Sequence, residues 1–279
     1  MIGNEILLIH LGGLGDVCLS ESTFHSLLSH FGRKMDAIGY ERFLGLFDQY
    51  FTRVLSVEGR SCLWLFSTPA REKRWKQAVL IGKDKGGEMR TRLGAVSTEP
   101  PLFIDMYPEE EEVHVEAYQL AQLQKLGMKP LKRETEELSR RRIILYPEKG
   151  YTKKKWPYEH FISVYDLLKH KGIDVTLLEA PDQEPHVKDS RRFEDLSETA
   201  RFLRAGGLFF SNDSGIAHLA AACGLATVTL FYDHAPGIWH PRGRNISIRC
   251  NTHSPSVEEM ASLIVKVRGE GKRAAGCVT

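Results

Sequence analysis

The sequence predicts an α/β protein made of two parallel-sheet halves, and three observations carry that reading. Short apolar runs of strand length alternate with segments whose apolar residues repeat at helical spacing. Two passages, 6–32 and 207–231, join strand to helix through small polar turns at 11–16 and 211–215. The chain has 279 residues, too many for one ordinary domain and comfortable for two of about 140. The charge-rich stretch 129–141 reads as a linker, so the expected domains are 1–138 and 139–279, with the boundary near Leu138.

In the first half, 6–9 is a continuous apolar run, as expected of a parallel strand buried on both faces. The turn Leu11-Gly12-Gly13-Leu14-Gly15-Asp16 follows, and Phe24, Leu27, Leu28 and Phe31 then keep helical spacing up to Gly32. A strand is expected over 35–40, a helix over 41–50 and a short strand over 53–57. The stretch 58–108 is the least regular, with strands expected at 63–66 and 79–81. Basic residues crowd it: Arg71, Lys73, Arg74 and Lys76, then Lys83, Lys85, Arg90 and Arg92. They read either as solvated loop charge or as a patch for an anionic acceptor or a phospholipid surface. The four carboxylates at 109–112 read as a solvated run with no metal role. Val113, Ala117, Leu120 and Leu123 mark a helix that ends near Gly127.

The second half opens with a strand over 142–146 and a loop over 147–155. Phe161, Val164, Tyr165 and Leu168 then define a helix stopped by Gly172, with Pro157 in its first turn. A strand over 175–178 and a short helix over 195–205 come next. Leu208-Phe209-Phe210 is a buried strand, and Ser211-Asn212-Asp213-Ser214-Gly215 a turn. Ile216, Leu219, Ala220 and Cys223 then line one helical face up to Gly224, before a strand over 226–231. Val257, Met260, Ala261 and Ile264 give the last helix, and 269–279 reads as a frayed tail.

Chemistry concentrates at the turns. The turn at 211–215 opens a helix, whose first N–H groups lack helical partners and carry the positive end of the macrodipole. Ser214 or Asp213 can cap it, and Gly215, with no Cβ, lets a ligand approach the backbone. Such an end can receive a phosphate; equally, Asn-Asp-Ser-Gly is simply a good cap-and-turn sequence. Lys153, Lys154 and Lys155 precede another helix, where exposed cations oppose the dipole by about 0.3–1 kcal/mol each. They are either solvated or gathered around an anion. Asp16 is either the N-cap of its helix or a general base, and the helix end should hold its carboxyl below the ordinary value. The turn around it is not the dinucleotide-binding G-x-G-x-x-G pattern. Asp233 and His234 read as a loop cap or as an acid–base pair, and Trp156 as core packing rather than ligand stacking.

Four segments resemble motifs of glycosyltransferase family 9, the ADP-heptose:lipopolysaccharide heptosyltransferases. Asp213, Ser214, Gly215, His218, Leu219, Ala220, Ala221 and Ala222 match its donor-binding D-[ST]-G-x-x-H-[LI]-A-A-A motif. Gly13, Leu14, Gly15, Asp16 and Val17 match its N-terminal G-x-L/I-G-D-V, although His10 stands where Arg or Lys is usual and Glu21 where Pro is. Lys154, Trp156, Pro157 and Phe161 match K-x-W-P-x-x-x-F. Phe231, Pro236, Trp239, Pro241 and Gly243 match F-G-P-T-x-P…W-x-P-x-G, with Tyr232, Asp233 and His234 replacing Gly, Pro and Thr.

The resemblance implies a GT-B fold: two Rossmann-like domains facing across a cleft, the acceptor lobe first and the nucleotide-sugar lobe second. It also implies that the acceptor lobe is trimmed over 58–108. The implied reaction is inverting transfer of a heptose or similar sugar from an ADP-sugar donor to a lipopolysaccharide core sugar or related glycan, with no metal or cofactor. The donor diphosphate would lie on the backbone of Ser214, Gly215, Ile216, Ala217 and His218, beside Asp213, and Lys154 would pair with it. His218 would touch the phosphate or only pack the helix. Gly12, Gly13 and Gly15 would form the acceptor-side loop, and Asp16 would be the catalytic base.

Composition narrows the setting. A net charge of +2 gives no global field that would favour nucleic acid. The five cysteines are scattered, with no C-x-x-C or metal-ligand spacing, and read as reduced, mostly buried thiols. No apolar run reaches the ~18 residues of a membrane span, and the first residues have no signal-peptide layout. The expected location is the cytoplasm, with peripheral contact at the inner-membrane surface and a glycan or glycolipid acceptor. Two other readings stand beside this one. A catalytically silent nucleotide-sugar-binding protein or scaffold is separated from it by an assay for donor hydrolysis or transfer. A nucleotide-sugar 2-epimerase is disfavoured by the L-G-D-V motif.

Overall fold

The computed structural model describes residues 5–67, 74–134, 142–147, 155–181, 187–250 and 253–269. The chain divides into two units, Met1–Arg133 and Glu134–Thr279. The boundary expected at Leu138 lies outside the described residues.

The first unit runs β1 (Ile6–His10), α1 (Leu14–Leu19), α2 (Glu21–Phe31), β2 (Met35–Gly39), α3 (Glu41–Leu44), β3 (Phe51–Ser56), β4 (Gln77–Ile81), α4 (Glu88–Val96), β5 (Leu102–Ile104) and α5 (Val115–Lys125). Its sheet has the order β3-β2-β1-β4-β5, and all four pairings are parallel. β1 is central and wholly buried, which is why its sequence is apolar without alternation. Leu7 and Ile9 pack with Ile38, Leu80, Trp75, Leu93 and Val96 on one side. Phe24 of α2 makes edge contacts with Phe47 and Phe51. Gly32 closes α2 at φ +65°, a left-handed conformation suited to glycine.

Two sequence expectations change in this unit. Residues 63–66 are not a strand. Arg60–Leu65 is a 3₁₀ helix that buries Cys62 and Leu65, three apart, and leaves Leu63 exposed. The single helix expected over 41–50 breaks into α3 and a 3₁₀ segment, Gly45–Tyr50, interrupted at Phe47 (φ −123°). The region 58–108 supplies β4, α4 and β5 and so completes the sheet. The start of the expected linker is hydrogen-bonded to α2. Ser26 Oγ accepts from the Leu131 N–H at 2.8 Å, and Ser22 Oγ from the Arg133 N–H at 2.8 Å.

The second unit runs β6 (Ile143–Tyr146), α6 (Tyr158–His170), β7 (Val175–Leu177), α7 (Leu196–Leu203), β8 (Leu208–Asn212), α8 (Gly215–Ala222), β9 (Ala226–Phe231), α9 (Pro236–Trp239), β10 (Asn245–Arg249) and α10 (Val257–Gly269). Its order is β10-β9-β8-β6-β7, again parallel throughout. Sequence reading missed β10, an Asn-Ile-Ser-Ile-Arg edge strand that is only partly buried. Pro157 sits at the N-cap of α6 rather than inside its first turn. Phe161, Val164 and Leu168 of α6 pack with Met260 and Ile264 of α10 against β6 and β8. Cys18, Cys62, Cys223 and Cys250 are buried and form no disulfide. No helix among the described residues is long and apolar enough to cross a membrane.

Candidate active site

In the second sheet the chain lays β7 on one side of β6, then crosses to the other side for β8. At such a reversal, the connections leaving neighbouring strands diverge and open a crevice at the carboxyl ends. β8 ends there at Asn212. Across 208–221 only Asp213, Ser214, Gly215 and Ile216 are partly exposed, between a buried strand and a buried helix. Of the two candidate caps, Ser214 caps α8. Its backbone is extended, and its Oγ accepts from the Ala217 N–H at 3.3 Å. Helix geometry leaves the N–H groups of Gly215 and Ile216 without acceptors in α8. The positive end of the macrodipole thus meets solvent at the open point of the crevice.

Asn212 holds this corner together. Its Oδ1 accepts from the Trp156 N–H at 3.1 Å and its Nδ2 donates to the Trp156 carbonyl at 3.3 Å. The connection leaving β6 is thereby fastened to the end of β8. Trp156 is core, as expected: its Nε1–H donates to the Pro255 carbonyl at 2.9 Å, and its ring meets Phe161 and Phe210 edge-on. Lys154, the expected phosphate partner, lies outside the described residues.

Asp213 does not cap. His234 Nδ1 lies 2.7 Å from its Oδ2, and His218 Nε2 lies 3.9 Å from its Oδ1. A carboxylate only accepts, so the His234 nitrogen carries the proton. The pairing imagined between Asp233 and His234 is therefore replaced by one across two loops. His218 is buried on α8.

The first unit repeats the arrangement at the end of β1. Gly12 is required there by close approach, because a Cβ would lie 2.6 Å from the Asp16 Cβ and 2.9 Å from the His10 Cε1. Gly13 is the N-cap of α1, Gly15 its second residue and Asp16 its third. Asp16 is therefore not the N-cap; its Oδ2 accepts from the Gly13 N–H at 2.9 Å. Its carboxyl is raised above the ordinary value by burial, against a smaller lowering by the Gly13 hydrogen bond. This reverses the expected direction, since desolvation outweighs the helix end.

His10, at the end of β1, was legible only as a departure from a motif. It is fully buried beneath the loop. The Gly12 N–H donates to its Nδ1 at 3.3 Å, so Nε2 carries the proton and donates to Ser20 Oγ at 3.1 Å. Gln119 donates to the same Ser20 oxygen at 3.1 Å. Burial pushes the imidazole down to about 4, which agrees with the neutral tautomer that these contacts need.

The basic residues after β4 are engaged within their own unit. Lys83 and Lys85 reach Glu109 at 2.7 and 3.0 Å, so that carboxylate is paired rather than simply solvated. Arg90 lies over the Phe103 ring, and Arg92 donates to the carbonyls of Trp64 and Ser67. Arg71 and Lys73 lie outside the described residues. Among the described residues, no group of three or more His, Cys, Asp or Glu side chains could hold a metal ion.

The family model for glycosyltransferase family 9 (heptosyltransferase) matches residues 104–264, more than half of the chain. No curated protein matches the sequence. Among solved structures, a family 9 glycosyl transferase from Veillonella parvula DSM 2008 superposes with a TM-score of 0.69 at 15% identity, covering 94% of this chain and 95% of its own. The E. coli heptosyltransferase WaaC with ADP gives 0.69 at 19% identity, covering 96% of this chain and 99% of its own. The E. coli ADP-heptose lps heptosyltransferase II gives 0.65 at 16%, covering 94% and 99%. These likenesses establish a shared two-unit GT-B fold.

Two consequences are measurable. Asn212→Ala removes both hydrogen bonds to buried Trp156 backbone groups and should cost about 1–3 kcal/mol in urea unfolding; an unchanged midpoint would mean that Trp156 is held by packing alone. The pKa of His10 falls from an ordinary 6.5 to about 4 on folding, so the unfolded chain binds more protons between those values. The His10 contribution is therefore complete above about pH 6.5 and is lost as pH falls toward about 4, by roughly 3 kcal/mol in all. His10→Gln should flatten that part of the pH–stability curve; an identical slope in the variant would assign it to other groups.

Proposed function

The chain belongs to glycosyltransferase family 9 and is a glycosyltransferase; from that premise we propose that it transfers a heptose or similar sugar from an ADP-sugar to a lipopolysaccharide core or related glycan. The observation that carries the donor half is the Ser214-capped first turn of α8, partly exposed at the order reversal of its sheet. A diphosphate there would accept from the N–H groups of Gly215 and Ile216 and lie along the positive end of the helix. The resemblance adds Lys154 as its ion-pair partner. Two of the similar E. coli structures contain ADP or an ADP-sugar analogue, which supports adenine as the base.

The acceptor half of the proposal rests on Asp16. An acceptor hydroxyl attacks the anomeric carbon opposite the leaving ADP. The new C–O bond forms as the sugar–phosphate bond breaks, and the hydroxyl proton passes to Asp16. Its burial-raised carboxyl is a better proton acceptor than an exposed one at a helix start. In this reading the charge on the departing diphosphate is met by α8 and Lys154, so no metal is required. A glycolipid acceptor would place the enzyme in the cytoplasm, in peripheral contact with the inner-membrane surface.

Asp16→Asn keeps the shape and the acceptor for the Gly13 N–H. Turnover of an ADP-sugar should fall by roughly 10²–10⁴ while ADP affinity and melting temperature barely move. Lost stability with near-normal turnover per folded molecule would make Asp16 a structural group. Lys154→Ala should weaken ADP binding about tenfold by calorimetry, and unchanged affinity would remove Lys154 from the donor site.

A further inference from the structure

A catalytic base has to keep one place while its acceptor comes and goes. The Gly13 N–H fixes one oxygen of Asp16 at 2.9 Å. The neighbouring wall is Gly12. A Cβ there would stand 2.6 Å from the Asp16 Cβ and 2.9 Å from its Oδ2, so the Gly12 backbone lies directly against this side chain. A shift of Gly12 therefore moves Asp16 or opens a gap beside it. Gly12 is held from beneath, where its N–H donates to His10 Nδ1 at 3.3 Å. The imidazole cannot follow a moving loop. It is fully buried, its Nε2 donates to Ser20 Oγ at 3.1 Å, and its ring meets Phe24 edge-on at 5.8 Å between centres. Gln119 donates to the same Ser20 oxygen and is itself held by Thr23 and the Met106 carbonyl. His10 thus has one nitrogen on the core and the other on the loop. Arg or Lys, the usual residue at this place in the family, carries only donors and could not accept from an N–H. The contact belongs to the histidine of this chain.

We infer that His10 is a positioning residue for the transfer: its Nδ1 holds the Gly12 backbone as the wall that keeps Asp16 within reach of the acceptor hydroxyl. This rests on the reading of Asp16 as the base. His10 acts through Gly12 and, being fully buried, touches neither substrate nor the reacting atoms. The role needs only an unprotonated Nδ1, which is the form that a backbone N–H donor requires. Misplacing a reacting group by about 1 Å can cost ~10²-fold in rate. Loss of the contact should therefore appear in the chemical step and not in donor binding, which the proposal assigns to α8 in the other unit.

Two substitutions separate this role from a purely structural one. His10→Asn can place an amide oxygen where Nδ1 stood, but is too short to reach Ser20. His10→Gln can still donate to Ser20, but places no acceptor beneath Gly12. Turnover is read as ADP release from ADP-heptose with a truncated lipopolysaccharide as acceptor, beside calorimetric ADP affinity and Tm. His10→Gln fills the buried space better and should keep the higher Tm of the two. Its kcat should nevertheless fall by about 10- to 100-fold, with ADP affinity within about twofold of the parent. His10→Asn should be the less stable variant, yet recover kcat to within about threefold of the parent. Activity and stability then change in opposite order, which a merely structural histidine does not produce. Parent-like kcat in His10→Gln, or kcat that follows Tm across the two variants, would overturn the inference. If neither variant folded, amide exchange in the parent would decide. The Gly12 N–H should exchange far more slowly than in the unfolded chain, and unprotected exchange would overturn the inference. A parent that released no ADP, or an Asp16→Asn variant with normal turnover, would overturn the base reading and this inference with it. An inactive Asp16→Asn variant beside a parent-like His10→Gln would sink the positioning role alone.

Discussion

The first turn of α8 is the constraint around which the second unit is arranged. A helix cannot satisfy its own leading N–H groups, and here the strand before them and the helix after them are both buried. The only solvent-facing stretch between is the four-residue turn, so the unsatisfied donors lie at a fixed, open point. Ser214 satisfies one and leaves the others oriented. Asn212 prevents the corner from opening by tying the end of β8 to Trp156, and Trp156 is in turn seated among Phe161 and Phe210. Remove that seat and the donors remain, but nothing fixes what faces them.

The first unit meets a related problem with different chemistry. Its turn carries a partly buried carboxylate, which the Gly13 N–H alone does not hold in place. Close packing does the rest: Gly12 has no room for a Cβ between Asp16 and His10. Beneath it lies a buried polar chain from His10 through Ser20 to Gln119, whose Oε1 accepts from Thr23 at 2.8 Å and whose Nε2 also donates to the Met106 carbonyl at 2.8 Å. Satisfied buried networks of this kind specify one arrangement, because every alternative strands a polar group away from water. The position of Asp16 is thus set by contacts that reach across α1, α2 and α5.

Much of the fold was legible because its strands are buried on both faces and its helices on one. Those patterns survive in single residues such as Phe24 and Leu27 of α2 or Val164 and Leu168 of α6. The left-handed glycines Gly32, Gly127, Gly172 and Gly224 marked helix ends for a local steric reason. Elements with weak burial contrast were not legible. β10 is a partly buried edge strand, and Arg60–Leu65 buries only two side chains, so neither leaves a clear period. At the site, the turns were legible but the contacts across them were not. Sequence spacing cannot show that His234 reaches Asp213 across 21 residues, or that burial outweighs the helix end at Asp16. Both follow from tertiary proximity and desolvation, which no local pattern encodes.

The account stands or falls on whether a diphosphate binds the N-terminus of α8. Amide hydrogen exchange of the whole chain, with and without saturating ADP, tests this directly. The N–H groups of Gly215 and Ile216 should exchange readily in the free protein and become protected when ADP is bound, more than other amides of the second unit. Unchanged exchange at these two residues, with protection appearing elsewhere on binding, would contradict the account.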